Sequence, residues 1–153
     1  MAKIPYPRTL GRLLAMASRR SMDVAERRLS VHGLTLQQWV LMTALWRRDG
    51  LTIGEIATFY RATNATTSGI VTRMEAKSLV ERRVDSEDGR IVRIYLTAFG
   101  QSKSHLVDSY KEFQAALTPD FTEDEIETLL GLLERVEKNA IQDLELPLPS
   151  AKS

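Results

Sequence analysis

The stretch from Thr52 to Thr97 constrains the fold more than any other part of the chain, because two helix patterns are followed there by a charged hairpin. Thr52-Ile53-Gly54-Glu55 predicts a helix start in which the Thr hydroxyl and the Glu carboxylate satisfy each other's backbone amides. An apolar stripe at helical spacing follows, and it predicts a second helix packed on the rest of the domain. Its members are Thr67, Ile70, Val71 and Met74.

The opposite side of this second helix lacks the Glu and Lys residues that a surface helix usually carries. Short uncharged side chains suit close approach to base edges and phosphates, and a glycine lets the backbone come nearer still. The residues on this side and at the N-terminal end are Asn64, Thr66, Ser68, Gly69, Thr72 and Arg73. The alternative is an exposed helix of mediocre propensity whose Thr and Ser residues merely cap its start.

Two runs of alternating residues predict the strands of a hairpin. They are Val80, Arg82 and Val84 with Glu81 and Arg83 between them, then Val92, Ile94 and Leu96 alternating with Ile91, Arg93 and Tyr95. Asp88-Gly89 predicts a tight turn in which glycine adopts a positive φ. A short helix, a turn, a second helix and a hairpin, in that order, form a winged helix-turn-helix.

Arginines cluster on this ribbon at positions 82, 83, 90 and 93. Arg90, just past the turn, is placed to insert into a narrow minor groove, whose negative potential attracts it. The alternative is a solvated hairpin whose arginines pair with Glu81, Asp85, Glu87 and Asp88. Both interpretations are true together if Asp85 orients Arg90 while Arg90 contacts DNA.

Helix signals flank this unit on both sides. On the N-terminal side, residues 1–8 with Pro5 and Pro7 predict an extended arm. Thr9 caps a helix to about Leu29 that ends at Gly33, and a capping box at Thr35–Gln38 opens a helix to about Arg48 that Gly50 stops. On the C-terminal side, Thr97 begins a helix to roughly Leu117, broken by Pro119, and a box at Thr122–Glu125 opens a terminal helix before Leu146-Pro147.

The terminal helix carries an apolar stripe over about six turns, more than the winged unit can cover, which favours pairing with another chain. The stripe consists of Ile126, Leu129, Leu130, Leu133, Val136, Ala140 and Leu144. An intrachain hairpin buried against the first helix is the alternative. In a two-fold dimer, the two copies of the second helix of the winged unit, which would read the bases, would lie roughly 34 Å apart. The DNA site of such a dimer would be an inverted repeat.

Composition narrows the class of protein. The 153 residues, 43% of them hydrophobic, suffice for one domain with a buried core. The absence of Cys excludes disulfides and thiol-based oxidant sensing and is compatible with a reducing cytoplasm. Arginines interrupt the apolar residues at the N-terminus, so we see no signal peptide or spanning segment there and expect a soluble, cytoplasmic protein with no membrane partner.

The net charge of +1 is unevenly distributed along the chain. Residues 1–49 hold nine Lys and Arg against three acidic residues, whereas residues 119–146 hold nine acidic residues against two basic ones. Such polarity fits a molecule with a positive side facing DNA and a negative far side. Complementary salt bridges between subunits explain the same asymmetry, and the sequence leaves both interpretations open.

At these residues the chain resembles the MarR family of bacterial transcription regulators, over about residues 10–145. The matching motifs, in the family's order and spacing, are Gly33-Leu34-Thr35 leading into Gln38, Ile53 through Ala57, Ala65 through Gly69, Arg73 through Lys77, Leu79 through Arg82, Asp85-x-x-Asp88-x-Arg90 and Leu96-Thr97-x-x-Gly100. Two positions depart from the family pattern. Ser78 stands where the family usually has glycine, and Thr72 replaces a common aspartate.

The resemblance implies a single domain over residues 1–153, mainly α with a small β-wing. Residues 35–97 would form the winged helix-turn-helix, and residues 8–32 and 98–146 the N- and C-terminal dimerisation helices. The implied function is a homodimeric regulator of transcription, a repressor that a small aromatic or phenolic ligand releases from a palindromic operator in double-stranded DNA. The alternatives are a winged-helix protein-interaction module without DNA binding and a ligand-independent DNA binder or activator.

The family also suggests where such a ligand binds, between the dimerisation helices and the winged unit. Arg19 or Arg20 would receive a carboxylate. The candidate walls are Met16, Trp39, Met42, Trp46 and Tyr110, although apolar residues at helical spacing more often belong to a core than to a pocket.

Nothing in the sequence indicates an enzyme. His32 lies at a helix end and His105 on the helix after the wing, and without Cys a metal site lacks its usual ligands. No glycine-rich phosphate cradle is present. We therefore expect no catalytic residue, no metal and no cofactor.

Overall fold

The computed structural model describes residues 8–146, which divide into two compact units with a boundary between Gln114 and Ala115. The elements are α1 (Leu10–Ser30), α2 (Leu36–Arg47), β1 (Leu51–Thr52), α3 (Ile53–Tyr60), α4 (Asn64–Ala76), β2 (Val80–Val84), β3 (Val92–Leu96), α5 (Ala98–Gln101), a 3-10 helix (Ser104–Asp108), α6 (Ser109–Leu117) and α7 (Glu123–Leu144). A mainly helical chain with a small antiparallel sheet confirms the predicted fold class. The predicted arm falls almost wholly outside the described residues, as does the Pro147–Pro149 segment. Across residues 8–146, every helix is too short or too polar to cross a bilayer.

Threonine side chains begin most of the described helices. Each accepts a hydrogen bond from a backbone amide three residues further on, which contributes roughly 1 kcal/mol per helix. The capping residues are Thr9, Thr35, Thr52, Thr63, Thr97 and Thr122. The three predicted capping boxes, at Thr35–Gln38, Thr52–Glu55 and Thr122–Glu125, are all formed and therefore confirmed.

The core of the first unit lies among α2, α3, α4 and the sheet. The predicted stripe of α4 is confirmed, because Thr67, Ile70, Val71 and Met74 are all buried. Helix α1 contributes only Ala25 and Leu29 to the buried core, both from its second half. The core thus holds one side of α4 inward, and the polar side faces outward.

The sheet has three strands in the order β1-β3-β2, one more than the sequence predicted. The additional strand, β1, is only two residues long and pairs Leu51 with Ile94 in β3. It was missed because Thr52 also caps α3. The register of β2 and β3 sets Arg82 opposite Ile94 and Arg83 opposite Arg93, so Arg82 and Arg83 lie on opposite faces of the ribbon.

A tight turn does form at Asp88-Gly89, because the Ile91 amide donates to the Asp88 carbonyl at 2.9 Å, but its predicted geometry is wrong. Gly89 does not adopt a positive φ, and the strands are joined by seven residues, 85–91. Side chains organise this loop instead: Asp85 accepts from the amides of Glu87 and Asp88 at 2.8 and 3.1 Å, and Asp88 accepts from the amide of Arg90 at 3.0 Å. Asp residues shape turns in this way without needing left-handed backbone. We call residues 85–91 the wing loop.

The predicted continuous helix from Thr97 to Leu117 is also wrong, because the segment is broken into α5, a 3-10 helix and α6. Two tryptophans of α2 account for the break. The indole of Trp46 donates to the Gly100 carbonyl at 3.1 Å, and that of Trp39 donates to the Leu106 carbonyl at 2.7 Å. Each of these carbonyls also accepts from the backbone amide three residues further on, Lys103 for Gly100 and Ser109 for Leu106, so the backbone there follows the 3-10 pattern and not the α pattern.

The second unit is dominated by α7, a helix of 22 residues with an acidic first turn that suits its dipole. None of its side chains is buried. The predicted apolar stripe is therefore exposed: Leu129, Leu130 and Leu133 are each about two-fifths exposed, and Leu144 is 84% exposed.

Candidate nucleic-acid interface

The outward side of α4 presents the residue types predicted from the sequence. Asn64, Thr66, Thr72 and Arg73 are exposed, and Ser68 and Gly69 are partly exposed. The Thr66 hydroxyl lies 3.0 Å from that of the capping Thr63, and Thr72 donates to the Ser68 carbonyl at 3.0 Å. The threonine hydroxyls are held in place by the helix itself and keep acceptor capacity towards a partner.

Gly69 and Arg73 share one patch of this side. A Cβ built on Gly69 would lie 3.8 Å from Nη1 of Arg73, so the guanidinium reaches back along the helix over the glycine. A cation with five donors therefore stands beside exposed backbone. That combination suits a guanine edge or a phosphate.

Arg82, on the strand after α4, reaches across to this helix. Its Nη1 lies 3.0 Å from a Glu75 carboxylate oxygen, and its Nη2 lies 3.4 Å from the Thr72 hydroxyl and 3.5 Å from the Ser68 hydroxyl. Thr72 has no charge to offer, so the ion pair goes to Glu75, one turn further on. Arg82 thus connects strand β2 of the hairpin to α4.

The structure separates Arg83 from this surface. Its guanidinium bonds Glu81 and lies 4.7 Å from the centre of the Tyr95 ring, on the ribbon face away from Arg82. A guanidinium stacked on an aromatic ring and paired with a carboxylate is partly satisfied within the protein. Arg82 and Arg83 therefore occupy different environments despite being neighbours.

Arg90 lies on the exposed wing loop, and its side chain makes no hydrogen bond or ion pair with residues 8–146. The predicted orientation of Arg90 by Asp85 is wrong. The Asp85 carboxylate is taken by Arg93, whose hydrogen bond, together with the loop amides, lowers the pKa of Asp85 to about 2. The sequence offered no signal for this choice, since Arg90 and Arg93 are equally near Asp85 along a hairpin.

The predicted ligand-binding residues divide between the core and the surface. Met42 and Trp39 belong to the buried core, and Trp46 is partly buried, with its indole held by Gly100. Met16, Arg19, Arg20 and Tyr110 are exposed, and Arg20 lies 3.3 Å from Asp23. A ligand site shared by these seven residues stays a prediction.

The two histidines approach each other, with the rings of His32 and His105 6.0 Å apart and edge to face. Within residues 8–146, no group of three or more His, Asp or Glu side chains is placed to hold a metal ion.

Comparison with known proteins matches residues 34–92, from just before α2 into β3, to the MarR family. Over 110 aligned residues the chain is 32% identical to the homoprotocatechuate degradative operon repressor of Escherichia coli, covering 67% of this chain and 70% of the repressor. The fold is similar to that of S. aureus MepR in complex with DNA, with a TM-score of 0.77, 26% identity and coverage of 87% of this chain and 99% of the other.

A mutant MarR from E. coli complexed with operator DNA is also similar, with a TM-score of 0.74, 25% identity and coverage of 83% and 92%. The chain spans about two thirds of the length of several curated relatives that it matches.

Proposed function

Because the chain belongs to the MarR family of transcription regulators, we propose that it represses transcription as a homodimer on an inverted-repeat operator, until a small aromatic ligand releases it. The observation that carries the proposal is the outward side of α4, which is polar and nearly uncharged. It belongs to the same unit as the wing loop, where the Arg90 side chain has no partner among residues 8–146. Two of the similar structures, those of S. aureus MepR and of a mutant E. coli MarR, are complexed with DNA.

In this proposal α4 enters the major groove and reads base edges. The residues facing the bases are Asn64, Thr66, Ser68, Gly69, Thr72 and Arg73. Arg90 enters the adjacent minor groove, where its unpaired guanidinium meets the most negative potential. Arg82 holds the ribbon on α4 through Glu75, and Arg83 contributes positive charge from the other ribbon face.

The proposed dimer uses the apolar stripe of α7. Leu129, Leu130 and Leu133 leave too much apolar surface in water for a helix of this length to be stable alone. A second copy of the same stripe is a self-complementary cover, as two-fold symmetry requires. Two copies of α4 would then fall about one DNA turn apart, on an inverted repeat.

The repressor role and the ligand class rest on one relative. It is a repressor of an operon that degrades an aromatic acid, and it aligns with 67% of this chain. A ligand acts if it binds more tightly to a dimer whose reading helices no longer match the groove spacing. Arg19 is exposed and makes no ion pair within residues 8–146, so of the two predicted arginines it is a better candidate for a carboxylate than Arg20, which lies 3.3 Å from Asp23.

The test begins with selection of bound duplexes from a random pool by the purified protein. Fluorescence anisotropy on the selected site then measures affinity at several salt concentrations. Phosphate contacts predict that log affinity falls linearly and steeply with log salt. Arg90→Ala should weaken binding to every sequence by about fivefold or more, whereas changes at Thr72 or Arg73 should alter the preferred sequence.

The dimer and the ligand have separate tests. Sedimentation should give a dimer, and a duplex with one half-site should bind more weakly than the full repeat. Equal affinity for both duplexes would contradict the dimer. Aromatic acids that raise the melting temperature should also release the labelled operator, and a constitutive binder would show neither effect.

A further inference from the structure

Arg93 joins the wing loop to the start of the helix-turn-helix. Its Nε donates to Asp85 in the loop, and its Nη1 donates to the Gly50 carbonyl at 3.1 Å. The same nitrogen lies 3.9 Å from a carboxylate oxygen of Glu55 in α3. Its side chain is 30% exposed. One guanidinium therefore bridges three separate segments of the first unit.

The two oxygens of Asp85 have different partners. Oδ1 accepts from the amides of Glu87 and Asp88 and so shapes the loop internally. Oδ2 accepts from Arg93 and so ties the loop to the body of the protein. With a side chain only 13% exposed, Asp85 is well shielded for a residue at a loop. Loop shape and loop position are thus controlled by two atoms of one carboxylate.

Gly50 and Glu55, the residues that Arg93 contacts outside the wing loop, are themselves held in place. Glu55 caps α3 by accepting from the Thr52 amide at 2.8 Å, and it also pairs with Arg48. Gly50 has a φ of +72°, and a Cβ there would lie 2.8 Å from the Tyr95 ring, so its carbonyl is fixed by close packing. Arg93 consequently anchors the loop to backbone that has little freedom to shift.

We propose that Arg93 is a positioning residue for DNA binding, which holds the wing loop, and with it Arg90, at a fixed place relative to α4. The inference rests on the proposed function, because it requires that Arg90 meets DNA. Arg93 itself is engaged within the protein and acts through Asp85. Arg93 is then the anchor of the wing loop, and Arg90 is the residue that contacts DNA.

The decisive experiment compares Asp85→Asn with Arg93→Gln on the operator selected as above. The asparagine keeps Oδ1 as an acceptor for the loop amides and replaces only the oxygen that Arg93 holds. Net charge changes in opposite directions in the two variants. Long-range electrostatics alone would therefore strengthen DNA binding by Asp85→Asn and weaken it by Arg93→Gln. If Arg93 anchors the wing loop, both variants should bind DNA more weakly, by about fivefold or more, as expected for Arg90→Ala.

Two further variants complete the design. Arg93→Gln combined with Arg90→Ala should bind no worse than Arg90→Ala alone, since a misplaced wing has no contact left to lose. Arg135→Gln, on exposed α7, removes the same charge as Arg93→Gln and should bind within about twofold of the parent protein. Hydrogen exchange of the free proteins should show faster exchange in residues 85–91 for Asp85→Asn and Arg93→Gln, with α4 unchanged.

The outcomes separate the anchor from the proposed function. If the parent protein binds the operator but Asp85→Asn binds it more tightly, or if loop exchange is unchanged in both variants, the anchor is refuted and the proposed function stands. If the parent protein ignores duplex DNA in dilute buffer, the proposed function and the DNA role of Arg93 fall together. Faster loop exchange with matched losses of affinity supports both.

Discussion

Gly69→Ala should stabilise the protein and impair its DNA binding at the same time. Gly69 lies in the middle of α4, a helix of 13 residues, where glycine costs about 0.8–1.0 kcal/mol relative to alanine. The added Cβ would meet Nη1 of Arg73 at 3.8 Å, an ordinary contact with the end of a flexible side chain. The substitution therefore carries no steric penalty in the free protein, and the full gain in propensity should appear.

The expected gain in stability is large enough to measure in a chain of this size. A gain of about 1 kcal/mol raises the melting temperature by roughly 2–4 °C. Under the proposed function the methyl group would occupy the side of α4 that approaches the bases. Loss of one base contact costs about 1–3 kcal/mol, so we expect the operator affinity to fall by about fivefold or more.

Gly131→Ala is the matched control. Gly131 is also inside a helix, has no atom within 4 Å of its would-be Cβ, and lies on the side of α7 opposite the apolar stripe. It should give a similar gain in melting temperature with unchanged affinity. Thermal unfolding measures the melting temperature and fluorescence anisotropy measures the affinity, both on the same preparations. If Gly69→Ala stabilises the protein and binds the operator as the parent does, then this side of α4 does not face the groove.

Three further substitutions or titrations test the fold itself. Thr67→Val should raise the free energy of unfolding by about 1–2 kcal/mol, because the buried Thr67 hydroxyl has no hydrogen-bond partner within residues 8–146. Thr43→Val is the control and should not raise it, since the Thr43 hydroxyl donates to the Trp39 carbonyl at 2.9 Å. Ser78→Gly should stabilise by up to about 1 kcal/mol in thermal unfolding, because Ser78 has a φ of +55°, and a loss of stability would refute that reasoning. An NMR titration that follows the carboxyl carbon of Asp85 should give a pKa of about 2, well below the ordinary value of 3.8. The stability that the ionised carboxylate contributes is therefore present above about pH 4 and is lost as the pH falls towards 2.

The parts of the fold that the sequence predicted are those that local chemistry decides. A threonine followed three residues later by Gln or Glu closes a capping box without help from distant residues, and all three boxes formed. The buried stripe of α4 follows from the spacing of its apolar side chains alone. The polar, outward side of α4 follows from the same spacing, so the burial of both sides of this helix could be predicted.

The parts that were missed depend on contacts between distant residues. No local pattern shows that the Trp39 and Trp46 indoles will take the carbonyls of Leu106 and Gly100, which breaks the helix after the wing. Likewise, Ser78 adopts a left-handed backbone because the chain must turn between α4 and β2, where the Leu79 amide bonds the Met74 carbonyl at 3.0 Å. Tertiary constraints override the propensities in both places.

The four arginines of the ribbon are the same type of residue, but their side chains have different partners and different roles. The sequence predicts DNA contacts for Arg82, Arg83 and Arg90, yet Arg82 is paired with Glu75 and Arg83 with Glu81 and Tyr95. Arg93, the fourth arginine of the ribbon, is paired with Asp85. Three of the cations are engaged within the protein and hold the ribbon in position, whereas the Arg90 side chain has no partner among residues 8–146. An ordered ribbon loses less entropy on binding than a loose one, so under the proposed function the paired arginines would aid DNA binding even where they touch no phosphate. Counting positive charges on a wing therefore overstates its contacts and understates how firmly the remaining contact is held.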